Sequence, residues 1–198
     1  MADPNKTSLW AKAATISVGL IVGLLSGWWA ITGGMGGQNY SGWYGSAVTG
    51  SADAGPWLRA RVAISGLLAL NKSQAIYLTR KTDDDGAPLR EECRYRVTGG
   101  PIPGQWWSVT VYAADNFLPL NDDDALSFDA TEVARDEAGR WSATLAPTRP
   151  EGQAWASTRK AGNFDITLRI YQPSAAAQAD FGSIPLPKVT RLSCGEKA

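Results

Sequence analysis

Hydrophobic and polar positions change rhythm along this chain, and each rhythm predicts a different element. The first has no alternation at all. Ala13 to Ile31 is uncharged throughout, and as a helix it spans about 28 Å at about 1.5 Å per residue. That matches a hydrocarbon core of about 30 Å, so a transmembrane helix is expected over residues 13–32. From Gly33 to Gly55 the chain is rich in Gly, Ser and aromatic residues, a tether composition. Tyr40, Trp43 and Tyr44 do not suit a pure spacer; they either lie on the bilayer surface or tuck into a domain. Pro56 then opens a helical pattern, as proline does comfortably in a first turn. Trp57, Ile64, Leu67 and Leu68 line one side of it through Leu70.

After Lys72 the period falls to two. Ala75 to Thr79 reads as a strand, and Asp85-Gly86 is a turn signal. Cys93, Tyr95 and Val97 alternate with charged residues, as do Trp107, Val109 and Val111 with polar ones. Leu126 with Phe128, and Trp141 with Ala143 and Leu145, give shorter runs. Phe164, Ile166, Leu168 and Ile170 alternate cleanly with Asp165, Thr167 and Arg169. Regularly spaced alternating strands with no helical pattern between them predict an antiparallel β-sandwich. The expected chain is therefore mostly β, with one N-terminal transmembrane helix and one short α-helix before the sheet. Its divisions are a cytoplasmic tail (1–12), the membrane helix (13–32), a tether (33–55) and a periplasmic β-sandwich domain (56–198).

Charge sets the expected orientation. Lys6 and Lys12 precede the apolar run, and no charged residue follows it until Asp53. The positive-inside rule then places Met1 in the cytoplasm and the domain outside, at a bacterial inner membrane. Trp28 and Trp29 sit where an outer aromatic belt would lie. A cleaved signal peptide is the competing reading. Its apolar core would be about 7–15 residues with a small-x-small cleavage site, whereas this run is longer and no clear site follows Trp29. Within the helix, Gly19, Gly23 and Gly27 recur every four residues. Small residues on one face let a second helix approach closely. This face is a candidate dock for another copy or another membrane subunit, beside the simpler reading that membrane helices are glycine-rich.

Composition removes whole classes of function. Lys plus Arg equals Asp plus Glu at 19 each, so there is no basic footprint for nucleic acid. Histidine is absent, which removes Ser-His-Asp and Cys-His nucleophile activation and the HExxH zinc site. No cofactor and no metal is expected. Nine tryptophans are many, and Trp favours interfaces.

The residues that could carry chemistry are few. Cys93 and Cys194 lie in a compartment where disulfides persist. Closing a loop of about 100 residues would stabilise by about 4–5 kcal/mol in the entropy model. The alternative, a reactive thiol, lacks a histidine to activate it. Asp83-Asp84-Asp85-Gly86 and Asn121-Asp122-Asp123-Asp124 carry calcium-type oxygens, but counting from Asp83 the twelfth position of an EF-hand loop is Arg94 rather than Glu. Solvated turns are the simpler reading of both. A glycosidase pair could be drawn from Glu91, Glu92, Asp115, Glu132 and Asp165. Trp106 and Trp107 point to opposite faces of one strand, so one belongs in the core and the other on a surface or under a loop. Trp106, Trp107, Trp155, Tyr40, Trp43 and Tyr44 make up the candidate ligand or partner surface.

At Gln105-Trp106-Trp107-Ser108-Val109-Thr110-Val111-Tyr112 the chain resembles the bacterial family called domain of unknown function 1214. Asp83-Asp84-Asp85-Gly86-Ala87-Pro88-Leu89, Cys93-Arg94-Tyr95-Arg96-Val97, the stretch from Gly162-Asn163-Phe164 to Gln172-Pro173, and Leu186-Pro187 to Cys194 also carry the resemblance. It covers roughly Ala54 to Gly195, with order and spacing in agreement. Where the family often has Asn-Trp-Leu-Pro, this chain has Ala154-Trp155-Ala156-Ser157, which puts any role of that loop in doubt. The resemblance implies a jelly-roll-type sandwich and a short, membrane-anchored form. It also implies a companion protein with the sister domain of unknown function 1254, and it brings no established activity and no catalytic residue.

The expected function is a membrane-anchored, periplasm-facing envelope protein that acts as a non-enzymatic binding or assembly partner. A carboxylate-dependent enzyme or binding module for an envelope glycan is the alternative. An apolar ligand carried inside the sandwich is a third reading.

Overall fold

The computed structural model describes residues 8–32, 37–64 and 70–195. An apolar helix, α1 (Leu9–Thr32), comes first. The strands β1 (Gln38–Tyr40) and β2 (Trp43–Gly45) and the helix α2 (Pro56–Ile64) follow. Next come β3 (Ala75–Arg80), β4 (Cys93–Gly99), β5 (Gly104–Ala113), β6 (Ser127–Asp129), β7 (Trp141–Ala146), β8 (Ala154–Ser157) and β9 (Phe164–Pro173). The chain closes with α3 (Ala175–Ala179), a 3₁₀ turn at Phe181–Ser183, and β10 (Lys188–Cys194). The strands form a six-stranded sheet in the order β1-β2-β3-β9-β5-β6 and a four-stranded sheet in the order β10-β4-β7-β8.

The period-two pattern produces this sandwich directly. On β9 the residues Phe164, Ile166, Leu168 and Ile170 are buried, and they join Ile76, Leu78, Val109, Tyr95, Val97 and Leu145 in one core between the sheets. Trp107 of β5 stacks on Trp141 of β7 at 4.5 Å between ring centroids and 28° between planes, bridging the two layers. Tyr95 of β4 meets Phe164 of β9 edge to face at 6.0 Å. The alternate residues of β9 face outward. There Thr79 and Thr167 share a hydroxyl hydrogen bond of 2.9 Å across strands.

Four local expectations change. The sheets are not wholly antiparallel, because β7 and β8 pair in parallel, Ala143 to Ala154 through Ala146 to Ser157. The connection, residues 147–153, carries the chain back along β7 before β8 begins.

The 33–55 segment is not a free tether along its described length. Ser41 (φ 52°) and Gly42 (φ 88°) make a two-residue hairpin turn with positive φ at both positions. The Asn39 side-chain oxygen accepts from the Gly42 N–H at 2.8 Å. The hairpin joins the sheet at Tyr44↔Thr79, because it carries Trp43, whose burial outweighs the entropy of an ordered linker.

The helix after Pro56 is described as far as Ile64 and buries Leu58, while Trp57 and Ile64 are exposed; Leu67 and Leu68 lie outside the described residues. The strand region also contains a helix, α3, where three consecutive alanines follow Ser174. The Ser174 hydroxyl oxygen accepts from the Ala177 N–H and caps it.

Candidate functional site

Cys93 and Cys194 form a disulfide. They face each other in the β4–β10 ladder, so the bond fastens the last strand of the sandwich to the sheet. The acidic turn at Asp83 fastens the same strand from its other side. Asp83 is buried, and its Oδ1 accepts from the Asp85 and Ala87 N–H groups at 3.1 and 2.9 Å. Its Oδ2 lies 3.4 Å from the Arg191 Nε on β10. Asp84 pairs with the buried Arg80 at 2.8 Å and accepts from the Val189 N–H and the Thr190 hydroxyl, both at 3.1 Å. The turn therefore spends these oxygens on backbone and arginine, and the burial of Asp83 departs from the solvated-turn reading.

The second cluster splits. Asp123 accepts from Arg159 through Nε at 2.9 Å and Nη2 at 2.6 Å, and from the Ser157 hydroxyl at 2.6 Å. These bonds, the one from Arg159 first, hold its carboxyl below the usual range. Asp122 and Asp124 are exposed. Among the described residues, no three His, Cys, Asp or Glu side chains come together as a metal would require.

The carboxylates proposed for glycosidase chemistry are dispersed into structural tasks. Glu91 accepts from the Lys160 and Gly162 N–H groups at 2.6 and 2.9 Å. Glu92 pairs with Arg90 at 3.5 Å. Asp115 accepts from the Phe117 N–H and Glu132 from the Asp129 N–H. At Asp165, burial pushes the carboxyl up from 3.8 to about 6, against the opposing pull of Lys81.

The aromatic candidates separate by burial. Trp43 is fully buried, and its indole N–H donates to the Pro187 carbonyl at 2.8 Å. Trp107 is core. Trp155 is also buried, its indole N–H donating to the Ala146 carbonyl at 2.9 Å, with the Arg149 guanidinium 5.9 Å from its ring. These three therefore drop out of the candidate surface, because an indole sealed in a core offers no face to a ligand. Tyr40 packs at 5.9 Å from Phe181. Tyr44 stays exposed. Trp106 is half-buried on the outer face of the six-stranded sheet, 5.3 Å from Tyr171. Beside it on that face, Arg169 donates to the Thr110 hydroxyl at 2.8 Å and to the Tyr112 hydroxyl, and its guanidinium lies 5.4 Å from the Tyr112 ring.

The α1 face is open. A side chain at Gly19, Gly23 or Gly27 would meet nothing within 4 Å. Leu20, Leu24, Leu25, Trp28 and Trp29 are all more than half exposed.

One feature had no advance notice in the periodicity. The β5–β6 connection exposes Phe117, Leu118 and Leu120 at 73, 44 and 86 % of their surface. The loop is pinned in that posture. The Ala113 N–H donates to the Phe117 carbonyl at 2.9 Å, the Asn121 N–H to the Pro119 carbonyl at 2.9 Å, and the Asn121 side-chain amide to the Arg159 carbonyl at 2.7 Å. It borders a shallow groove of about 380 Å³ that Lys160 also lines. A smaller cleft of about 160 Å³ lies between Pro101 and Gly139 above Trp107, below the roughly 300–1,000 Å³ of ordinary ligand pockets. The run Phe117-Leu118-Pro119-Leu120, apolar yet broken by proline between two strands, was the legible signal.

The profile of the family described as "Protein of unknown function (DUF1214)" matches residues 74–175. No curated protein matches the chain. Among solved structures, the VPA0106 protein from Vibrio parahaemolyticus superposes with a TM-score of 0.61 at 20% identity, covering 96% of this chain and 48% of that one. An uncharacterized protein from Burkholderia cenocepacia gives a TM-score of 0.40 at 18% identity over 63% of this chain and 31% of its own. This chain thus spans about half the length of the Vibrio protein whose fold it shares.

Proposed function

We propose that this chain, which belongs to the DUF1214 family, is a membrane-anchored, periplasm-facing envelope protein that binds a partner protein without catalysing a reaction. The observation that carries this reading is α1. A 22-residue span, Leu9–Ala30, is long and apolar enough to cross a bilayer, and its apolar window is not buried against the rest of the chain. A bilayer would cover exposed apolar area of that size, and the open Gly19, Gly23 and Gly27 face suits a second helix, from another copy or another subunit. The charge asymmetry around the helix supports a cytoplasmic N-terminus at the inner membrane, and the length of its apolar run, with no clear small-x-small site after Trp29, supports a retained helix. A disulfide in the domain fits an oxidising compartment.

The partner we propose is a protein with the companion domain of unknown function 1254. This fold accounts for about half of the longer Vibrio chain, which leaves room there for a second domain. Affinity purification of the full-length protein from native membranes in mild detergent, after cross-linking, tests the reading. A stoichiometric protein partner is expected. Repeated recovery of the monomer alone would sink it.

A second reading keeps one supporting observation. Trp106, Tyr171 and Arg169 share the outer sheet face, and aromatic rings beside a guanidinium can stack on and hydrogen-bond an envelope glycan. Titration with soluble envelope glycan fragments, read by tryptophan fluorescence, checks it; a spectrum unchanged at millimolar ligand rules it out.

A further inference from the structure

We infer that the β5–β6 loop is the docking tip for the protein partner, and that the partner's complementary surface is an apolar pocket rimmed by Lys and Arg. The inference rests on the reading of this chain as a binding partner and adds to it a site and a chemistry. Large apolar side chains on a monomer surface mark interaction sites when they are contiguous, and Phe117, Leu118 and Leu120 are contiguous and strongly exposed. They are also held outward by the loop's own hydrogen bonds: the Asp115 carboxylate accepts from the Phe117 N–H at 3.0 Å, and Asn121 is bonded to Arg159. A tip ordered before binding loses little entropy on docking.

Charge and position identify the occupant. The apolar tip is flanked by Asp115, Asp122, Asp123 and Asp124, against Arg159 and Lys160 as the neighbouring cations. Asp123 is already committed to Arg159, while Asp122 and Asp124 are exposed. That acidic surplus repels an anionic lipid surface and complements a basic rim.

The tip leaves β5 after Ala113, which pairs with Phe164 at that end of the sheet. A protein pocket with a basic rim is the occupant that fits this apolar surface and its acidic surplus.

The test places a photo-crosslinking benzophenone amino acid at Leu120 of the full-length protein in native membranes. The exposed Glu137, beside Gly139 and Pro101 at the other end of the domain, serves as the control position. One discrete protein adduct is expected from Leu120 and none from Glu137. Its crosslinked peptide should map to an apolar pocket flanked by Lys or Arg. Combining Asp122→Lys with Asp124→Asn should lower the adduct at least tenfold while leaving the melting temperature unchanged.

A lipid adduct, an adduct of twice the chain's mass, or an adduct indifferent to the charge change would overturn the inference. Absence of any adduct while detergent purification still recovers a partner overturns the tip alone. Absence of both overturns the partner reading as well.

Discussion

Asp165 is the residue at which pH should be felt most. Its carboxyl is raised from 3.8 to about 6 by burial, so between those values the native state holds a proton that the unfolded state has released. Stability then falls as pH rises from about 4 to about 6 and is flat above, the reverse of an ion-paired carboxylate. Asp165→Asn removes the buried charge. It should raise unfolding free energy at pH 7.5 by about 1–2 kcal/mol and erase the decline between pH 4 and 6, as denaturant melts across pH will show. Trp43 gives the opposite sign. It is fully buried with its N–H bonded to Pro187, so Trp43→Ala should cost about 3–5 kcal/mol. Trp43→Phe, which keeps most of the ring but leaves the Pro187 carbonyl short of a donor, should cost about 1–2 kcal/mol. A Trp43→Phe cost near zero would mean that the indole N–H contributes nothing.

Among the elements, β10 is the one most dependent on fastening. It is an edge strand of the four-stranded sheet, held by the Cys93–Cys194 bond across 101 residues of sequence and by the Asp83–Asp84 turn. Replacing both cysteines by alanine should lower unfolding free energy by about 2–4 kcal/mol, since long loops regain the most entropy when opened. The sandwich should still form, and a loss below about 0.5 kcal/mol in chemical denaturation would show that the ladder alone holds the strand. At β5, Gly104 is a space requirement: an added Cβ would run into the Ile170 side chain and the Tyr171 carbonyl. Gly104→Ala should therefore destabilise by about 1–3 kcal/mol through overpacking, read as a lowered melting temperature.

At the scale of the whole molecule, α1 and the β5–β6 tip both present large apolar side chains to the surface among the described residues. They should be separable by mutation. Gly23→Ile fills the open helix face, where nothing stands within 4 Å. It should weaken association in membranes by at least severalfold while leaving the melting of the domain unchanged. A fluorescence-transfer measurement between labelled copies or subunits in vesicles reads the first quantity, and thermal unfolding reads the second. If Gly23→Ile leaves association intact, the glycines are there for membrane-helix flexibility alone and the partner is held by the domain.

Much of this protein was legible along the chain. The period-two runs specify which residues face the core, because alternation is a property of the extended backbone and needs no partner to be read. Phe164, Ile166, Leu168 and Ile170 were placed correctly for that reason, as were the apolar length of α1 and the cysteine pair.

Tertiary structure alone decided the rest. Only packing buried Trp43 and Trp155 and left Trp106 half-covered, since all three are the same residue type and burial depends on what lies across the sheet. Only the ladder revealed that β8 runs parallel to β7, because strand direction is invisible to periodicity. The same packing turned Asp84, a candidate cation ligand, and Glu91, a candidate catalytic acid, into fastenings for backbone N–H groups far along the chain, and Asp83 into one for its own turn. The exposure of Phe117 and Leu120 was decided in the same way. A network of hydrogen bonds around the loop holds these apolar residues outside the core.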